Sequence, residues 1–291
     1  MRLSRRTFVR AAAGSLLVPR LGSAQSTAAG PLTAAQVAER IRASLGTAWR
    51  DKTVDGFKAG SPETVVTGIV TTVMATQRVL ARAVELRRNL IVTQEPVFYG
   101  ANDEPGNRAS DAIYLAKKAY LEKHGLVVYR LSDHWNARQP DPRVAALARA
   151  LAWNASESDG AVIAIPEMSF SALVSHVRQR LQTRGGLRTL GTPGLRVRSV
   201  LLSPGTTDVP TVMGRLAQVD VVIAGEPREW EVVPYVLDSR EAGAGKGLIA
   251  LGRLVSEEPG MKACAEWIKS FVPELPVESI PVGDPYWNPA A

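Results

Sequence analysis

The chain has 291 residues, 45% hydrophobic and 22% charged, the balance of a soluble globular protein with room for one large or two modest domains. No apolar run approaches the roughly 18–20 residues that would span a bilayer. The formal charge is +7, but Arg2, Arg5, Arg6, Arg10 and Arg20 all fall in residues 1–24, which hold no acid, so the remainder carries +2 with mixed signs. A reader of phosphate backbones needs a clustered basic face, and nucleic acid is therefore not an expected partner.

Ser4-Arg5-Arg6-Thr7-Phe8-Val9 is a twin-arginine pattern, followed by the short apolar run Ala11–Val18 and the small residues Gly22-Ser23-Ala24. That order predicts a twin-arginine export signal over residues 1–24 and a periplasmic or extracellular destination. Cys264 is the single cysteine, so no internal disulfide forms, and its place on an apolar helix face suits a buried small hydrophobe.

Thr33 and Gln36 make a capping box for a first helix carrying Val37, Ile41 and Leu45, with Gly46 as its stop. Turn chemistry over residues 47–62 leads to a charge-free, β-branched strand at Val65–Val73, a helix at Thr76–Arg88 and a returning strand at Leu90–Val92. Ser110 is placed to cap a helix running to His124, with Ile113, Tyr114, Ala116, Ala119 and Tyr120 as its heavier side. A strand at Leu126–Leu131 follows, then Asp141-Pro142 opens another helix in cap-then-proline order.

Ala161–Ile165 and Ser169–Thr183 form the next strand and helix, and the glycine-rich stretch 185–194 reads as a connection or exposed hairpin. Beyond it come a strand at Arg198–Leu202, a helix near Pro210–Gln218, a strand at Val219–Ala224, a helix around Glu229–Ala242 and a strand at Gly247–Leu251. Met261 to Phe271 marks a last helix and Val277–Pro281 a short strand. The repeated order predicts an α/β protein of two similar halves, 25–185 and 186–291, each a largely parallel sheet flanked by helices, facing one another across a cleft. Polar residues cap strands in both halves at Gln94/Glu95, Asp133/His134, Gly225/Glu226 and Arg253/Glu257. Ligands of open α/β sheets collect at such strand ends.

The Val65–Gly100 stretch, with its Asn-Leu-Ile-Val-Thr strand running into two polar residues, a proline and an aromatic, resembles the NIF-three-like family (NGG-interacting factor three). That family is also described as dinuclear metal centre hexameric proteins and as GTP cyclohydrolase I type II-like. Asp220–Trp230 and Gly252–Glu257 carry the likeness further. The resemblance implies a homohexamer assembled as a ring, two divalent ions held between the halves, and hydrolysis by metal-bound water.

Carried over by position, the family's His-His-Pro becomes Gln94-Glu95-Pro96, its late His becomes Arg253, and its late Glu is kept as Glu257. The Asp after the third strand has two candidates: contiguous matching gives Asn136, while Asp133 or His134 is the better ligand chemically. The metal site implied is thus Glu95, Asp133, His134 and Glu257, with Gln94 orienting. Arg253 is a donor-only group that cannot ligate a cation. It supplies the alternative expectation, a metal-free binding or scaffold protein in which its guanidinium pairs with those carboxylates and replaces the metal charge. No Gly-x-Ser-x-Gly elbow, Walker loop or Gly-x-Gly-x-x-Gly turn occurs, which argues against phosphotransfer and pyridine-nucleotide chemistry.

Overall fold

The computed structural model describes residues 30–154 and 160–289; the expected export signal lies outside them. In chain order the first elements are α1 (Ala34–Ser44), β1 (Gly56–Ala59), β2 (Ile69–Thr72), α2 (Gln77–Glu85), β3 (Leu90–Thr93), α3 (Ala112–Lys123), β4 (Val127–Arg130), the one-turn α4 (Asp133–Asn136) and α5 (Pro142–Ala150). Then come β5 (Val162–Ser169), α6 (Phe170–Leu181), β6 (Arg188–Leu190), β7 (Arg196–Thr207), α7 (Val209–Met213), β8 (Val221–Pro227), α8 (Glu229–Glu241), β9 (Gly247–Ala250), α9 (Arg253–Lys269) and β10 (Val277–Ser279).

These strands form two five-stranded sheets, ordered β1-β4-β3-β2-β10 and β5-β7-β8-β9-β6. Pairing is parallel in the middle of each sheet and antiparallel at β1, β5 and β6. The centre is parallel because β2, β3 and β4 are covered on both faces, which their β-branched sequences allow. Thr72 aligns with Thr93 and Thr93 with Arg130, so the carboxyl ends of the three strands reach one level, and Gln94 follows directly.

The first core lies around the first sheet and gathers α1, α2, α3 and, from the far end of the chain, Met261, Cys264, Ala265 and Ile268 of α9 with Val277 of β10. The second sheet is packed on one face by α5 and α6 and on the other by α7 and α8. Sequence order therefore does not separate the sheets: β10 pairs in parallel with β2, and α9 runs from Val255 in the second core to Ile268 in the first. Among the described residues no helix is long and apolar enough to cross a membrane.

The α1 capping box forms as its sequence predicts, with both the Thr33 and the Gln36 side chains engaged. Three local expectations need correction. α3 is capped by Asp111, whose carboxylate accepts from the backbone N–H groups of Ile113 and Tyr114, and Ser110 is not its cap. Its buried face is Tyr114, Lys117 and Leu121, while Ile113 is exposed, because the Lys117 ammonium finds the Val97 carbonyl at 2.6 Å. α9 begins at Arg253, so the polar segment after β9 is the first turns of the helix rather than a strand end.

Candidate functional site

The strand ends of the two sheets meet over the start of α9. Gly205, in a bulge of β7, has φ +77°, and a Cβ there would stand 2.5 Å from Glu257 Oε1. Only glycine lets the bulge approach this side chain so closely. Ser256 Oγ accepts from the Gly205 N–H at 3.0 Å and fixes the same contact from the helix side.

Arg253 stands at the centre. Its Nε and Nη2 donate to Glu95 Oε1 at 3.1 and 2.6 Å, and its Nη1 donates to Thr206 Oγ1 at 2.6 Å and to Glu226 Oε2 at 3.2 Å. Glu257, one helical turn on, brings Oε2 to 3.3 Å from Arg253 Nε, while Arg143 Nη1 lies 3.7 Å from Glu257 Oε1. Burial works against the Arg253 charge, but the Glu257 and Glu95 carboxylates outweigh it and hold its pKa above the ordinary value.

Glu257 is 1% exposed. Burial pushes its carboxyl up to about 7, with Arg253 opposing the rise. Gln94 Nε2 donates to Glu257 Oε1 at 2.6 Å and reaches Asn136 Oδ1 at 3.4 Å. Among the described residues, two acceptors of this cluster, Gln94 Oε1 and Glu257 Oε2, are buried with no hydrogen-bond partner, Glu257 Oε2 keeping only its ion pair with Arg253. Unpaired buried oxygens of this kind are costly, and natural proteins keep few of them.

The cluster closes one side of a cleft of about 720 Å³ lined by Met74, Glu226, Gly252, Arg253, Tyr286 and Trp287 among others. The tail that carries the two aromatic residues is tied down by Asp284, whose Oδ2 accepts from the backbone N–H groups of Arg184 and Gly185 at 2.9 and 2.7 Å. Tyr286 and Trp287 themselves are exposed.

Of the site residues expected from sequence, Gln94, Glu95 and Glu257 come together around Arg253, whereas Asp133 and His134 are not brought to them. His134 Nδ1 meets Asp55 Oδ2 at 2.7 Å, its Nε2 accepts from the Arg50 N–H at 3.0 Å, and its ring stacks on Trp49 with centroids 4.0 Å apart. Both ring nitrogens are thereby used, leaving no lone pair for a metal. Asp133 Oδ2 accepts from Thr53 Oγ1 and the Val54 N–H. Asn136, the position given by contiguous matching, is the residue that reaches Gln94. Arg143, Thr206 and Ser256 were not anticipated. The one sequence signal for them was a glycine inside a β pattern, Gly205, which marks close approach.

The same segments point to ancestry. Residues 36–284 match the model of the Duf34/NIF3 (NGG1p interacting factor 3) family. The chain belongs to that family. No curated protein matches it. Among solved structures, this NIF3-family chain is similar to the Staphylococcus aureus hypothetical protein SA1388, with a TM-score of 0.70 at 14% identity over 88% of this chain and 99% of that one. It is equally similar to a Bacillus cereus protein related to NIF3, with a TM-score of 0.70 at 12% identity and the same coverage. The protein ybgI, described as of unknown function, follows at 0.64 with 21% identity, 87% of this chain and all of that one. At these identities the likeness establishes the fold.

A dinuclear metal centre, implied by the resemblance, can be tested against the donors present. All three histidines lie outside the cluster: His124 packs on Tyr120, His134 is held by Asp55, and His176 meets the Leu151 carbonyl at 2.8 Å. Among the described residues no three His, Cys, Asp or Glu side chains gather as a metal site needs. Two guanidinium groups stand 3.3 and 3.7 Å from Glu257, where they would repel a dication. The donor set does not fit two divalent ions.

Proposed function

We propose that this chain is a binding member of the NIF3 family whose cleft is organised by a guanidinium in place of metal. The observation that carries the reading is the fan of Arg253 to Glu95, Glu226 and Glu257. Bidentate and shared carboxylate pairing of this kind supplies a fixed positive charge that cannot be titrated away or chelated. The cleft beside it combines carboxylate, guanidinium and aromatic groups, which suits recognition of a small polar ligand or a partner's side chains. Metal-dependent hydrolysis, the reading the resemblance implies, lacks support in this donor set. Export by the twin-arginine route and assembly as a homohexamer belong to the same proposal, supported respectively by Arg5-Arg6 with its flanking pattern and by the family likeness.

Metal analysis of protein purified from its exported form, dialysed and compared with an Arg253→His, Gln94→His double variant, tests the reading. The wild type is expected to retain no divalent metal and the double variant to acquire it, since the substitutions restore two imidazoles beside Glu257. Two tightly held equivalents of zinc, iron or manganese in the wild type would overturn the proposal.

A further inference from the structure

A second cavity, of about 410 Å³, opens beside the first sheet and shares no lining residue with the cleft. Its floor is apolar: Phe98, Tyr114, Leu121 and Leu126, with the Phe98 and Tyr114 rings 5.0 Å apart. One wall is α3; the other is the turn after β1. That turn reaches the floor through Gly60, which has φ +76° and lies so near the entry of β4 that a Cβ would stand 2.5 Å from the Leu126 carbonyl oxygen.

The mouth is charged, carrying Lys58, Lys118 and Glu122. Lys118 approaches Glu122 at 3.8 Å, a loose exposed pair. Lys58 is half-buried on β1, and among the described residues it has no hydrogen-bond or ion-pair partner. Two cations against one anion leave the mouth with a net positive charge, located on the ammonium that is partly withdrawn from water.

Each ligand class meets these features differently. A cationic amphiphile would be repelled at the mouth, and a neutral one would leave Lys58 without a partner while covering it further. A small dianion such as phosphate would find separate flexible lysines and no use for the apolar floor. We infer that the cavity binds an amphipathic monocarboxylate, its alkyl or aryl body against Phe98, Tyr114, Leu121 and Leu126 and its carboxylate paired with Lys58 and Lys118. This site is independent of the reading given to the cleft.

Calorimetric titration of the full chain with octanoate and octylammonium tests the inference. Octanoate should bind once per chain, more weakly as salt is raised, while octylammonium should not bind. In Lys58→Glu, with its thermal midpoint checked against the wild type, octanoate affinity should fall at least tenfold. In Thr64→Phe, which places a ring in the cavity wall, binding should be lost. Methyl NMR of the wild type needs no variant: octanoate should shift the Leu121 and Leu126 methyls and leave those of Val200 and Ile223 in the second sheet unmoved. Failure of octanoate to bind, equal affinity for octylammonium, unchanged affinity in a folded Lys58→Glu chain, or shifts confined to other methyls would each overturn the proposal.

Discussion

Buried charge is handled in two different ways in this molecule. Under the first sheet, Asp55 accepts from the backbone N–H groups of Ser132, Asp133 and His134 as well as meeting His134 Nδ1, so both of its oxygens are doubly engaged. Nearby, Arg130 pairs with Asp103 at 3.1 Å and donates to the Ala101 carbonyl, and Asp103 accepts in turn from the Val97 N–H. At the cleft the carboxylates crowd one guanidinium: Glu257 Oε2 has only its ion pair with Arg253 at 3.3 Å, and among the described residues Gln94 Oε1 has no hydrogen-bond partner. A saturated network holds a loop in one conformation; a cluster whose buried oxygens are short of donors is less firmly tied.

The same carboxylate-to-amide change should therefore have opposite weight in the two places. Asp55→Asn would turn an NH₂ group toward donors that now have an oxygen, and should lower stability by about 3–5 kcal/mol, read from urea unfolding midpoints. A cost below about 1 kcal/mol would break the comparison.

Lys117 gives a pH-dependent version. Burial lowers its pKa to about 8 from the ordinary 10.5, partly offset by Asp103. The unfolded chain then binds the proton more tightly than the folded one. The cost of burying the charge is fully present below pH 8 and is relieved as pH rises toward 10.5, worth up to ~3 kcal/mol. The difference in unfolding free energy between wild type and Lys117→Met, followed from pH 7 to 10.5, should move by that amount in favour of the wild type. A flat difference would place the ammonium in water.

The smallest expected effect is at the cleft. Glu257→Gln removes a buried charge that is short of hydrogen bonds along with its contacts to Arg253 and Arg143, and the two changes oppose one another. Stability should stay within about 1 kcal/mol of wild type. A loss comparable to that of Asp55→Asn would show that the cleft cluster is as firmly knit as the Asp55 network.

The parallel centres of both sheets were legible because a charge-free β-branched run between helical periods has few other uses, as at Val65–Val73 and Val221–Ala224. The edges were not. β1 and β6 are three or four residues long and only partly covered, and they exist because a neighbouring strand offers its backbone, a contact that no local pattern records. At the site, Gln94, Glu95, Arg253 and Glu257 could be placed by the order of motifs. Asp133 and His134 drew attention through their ligand chemistry, but the residue that claims the His134 ring, Asp55, lies 79 positions earlier. Arg143 was hidden for a similar reason: its cap-and-proline context explains a helix start and says nothing of what faces it across the fold.

The parallel pairing of β10 with β2 also sets an order in time. A ribosome delivers β1 to β4 early, yet the outer edge of β2 acquires its neighbour only when Val277–Ser279 has emerged, and the helix that covers the same sheet, α9, arrives just before it. The first sheet to be made is thus among the last to be finished. Until β10 has emerged, β2 presents an unpaired backbone row to whatever is in the same compartment.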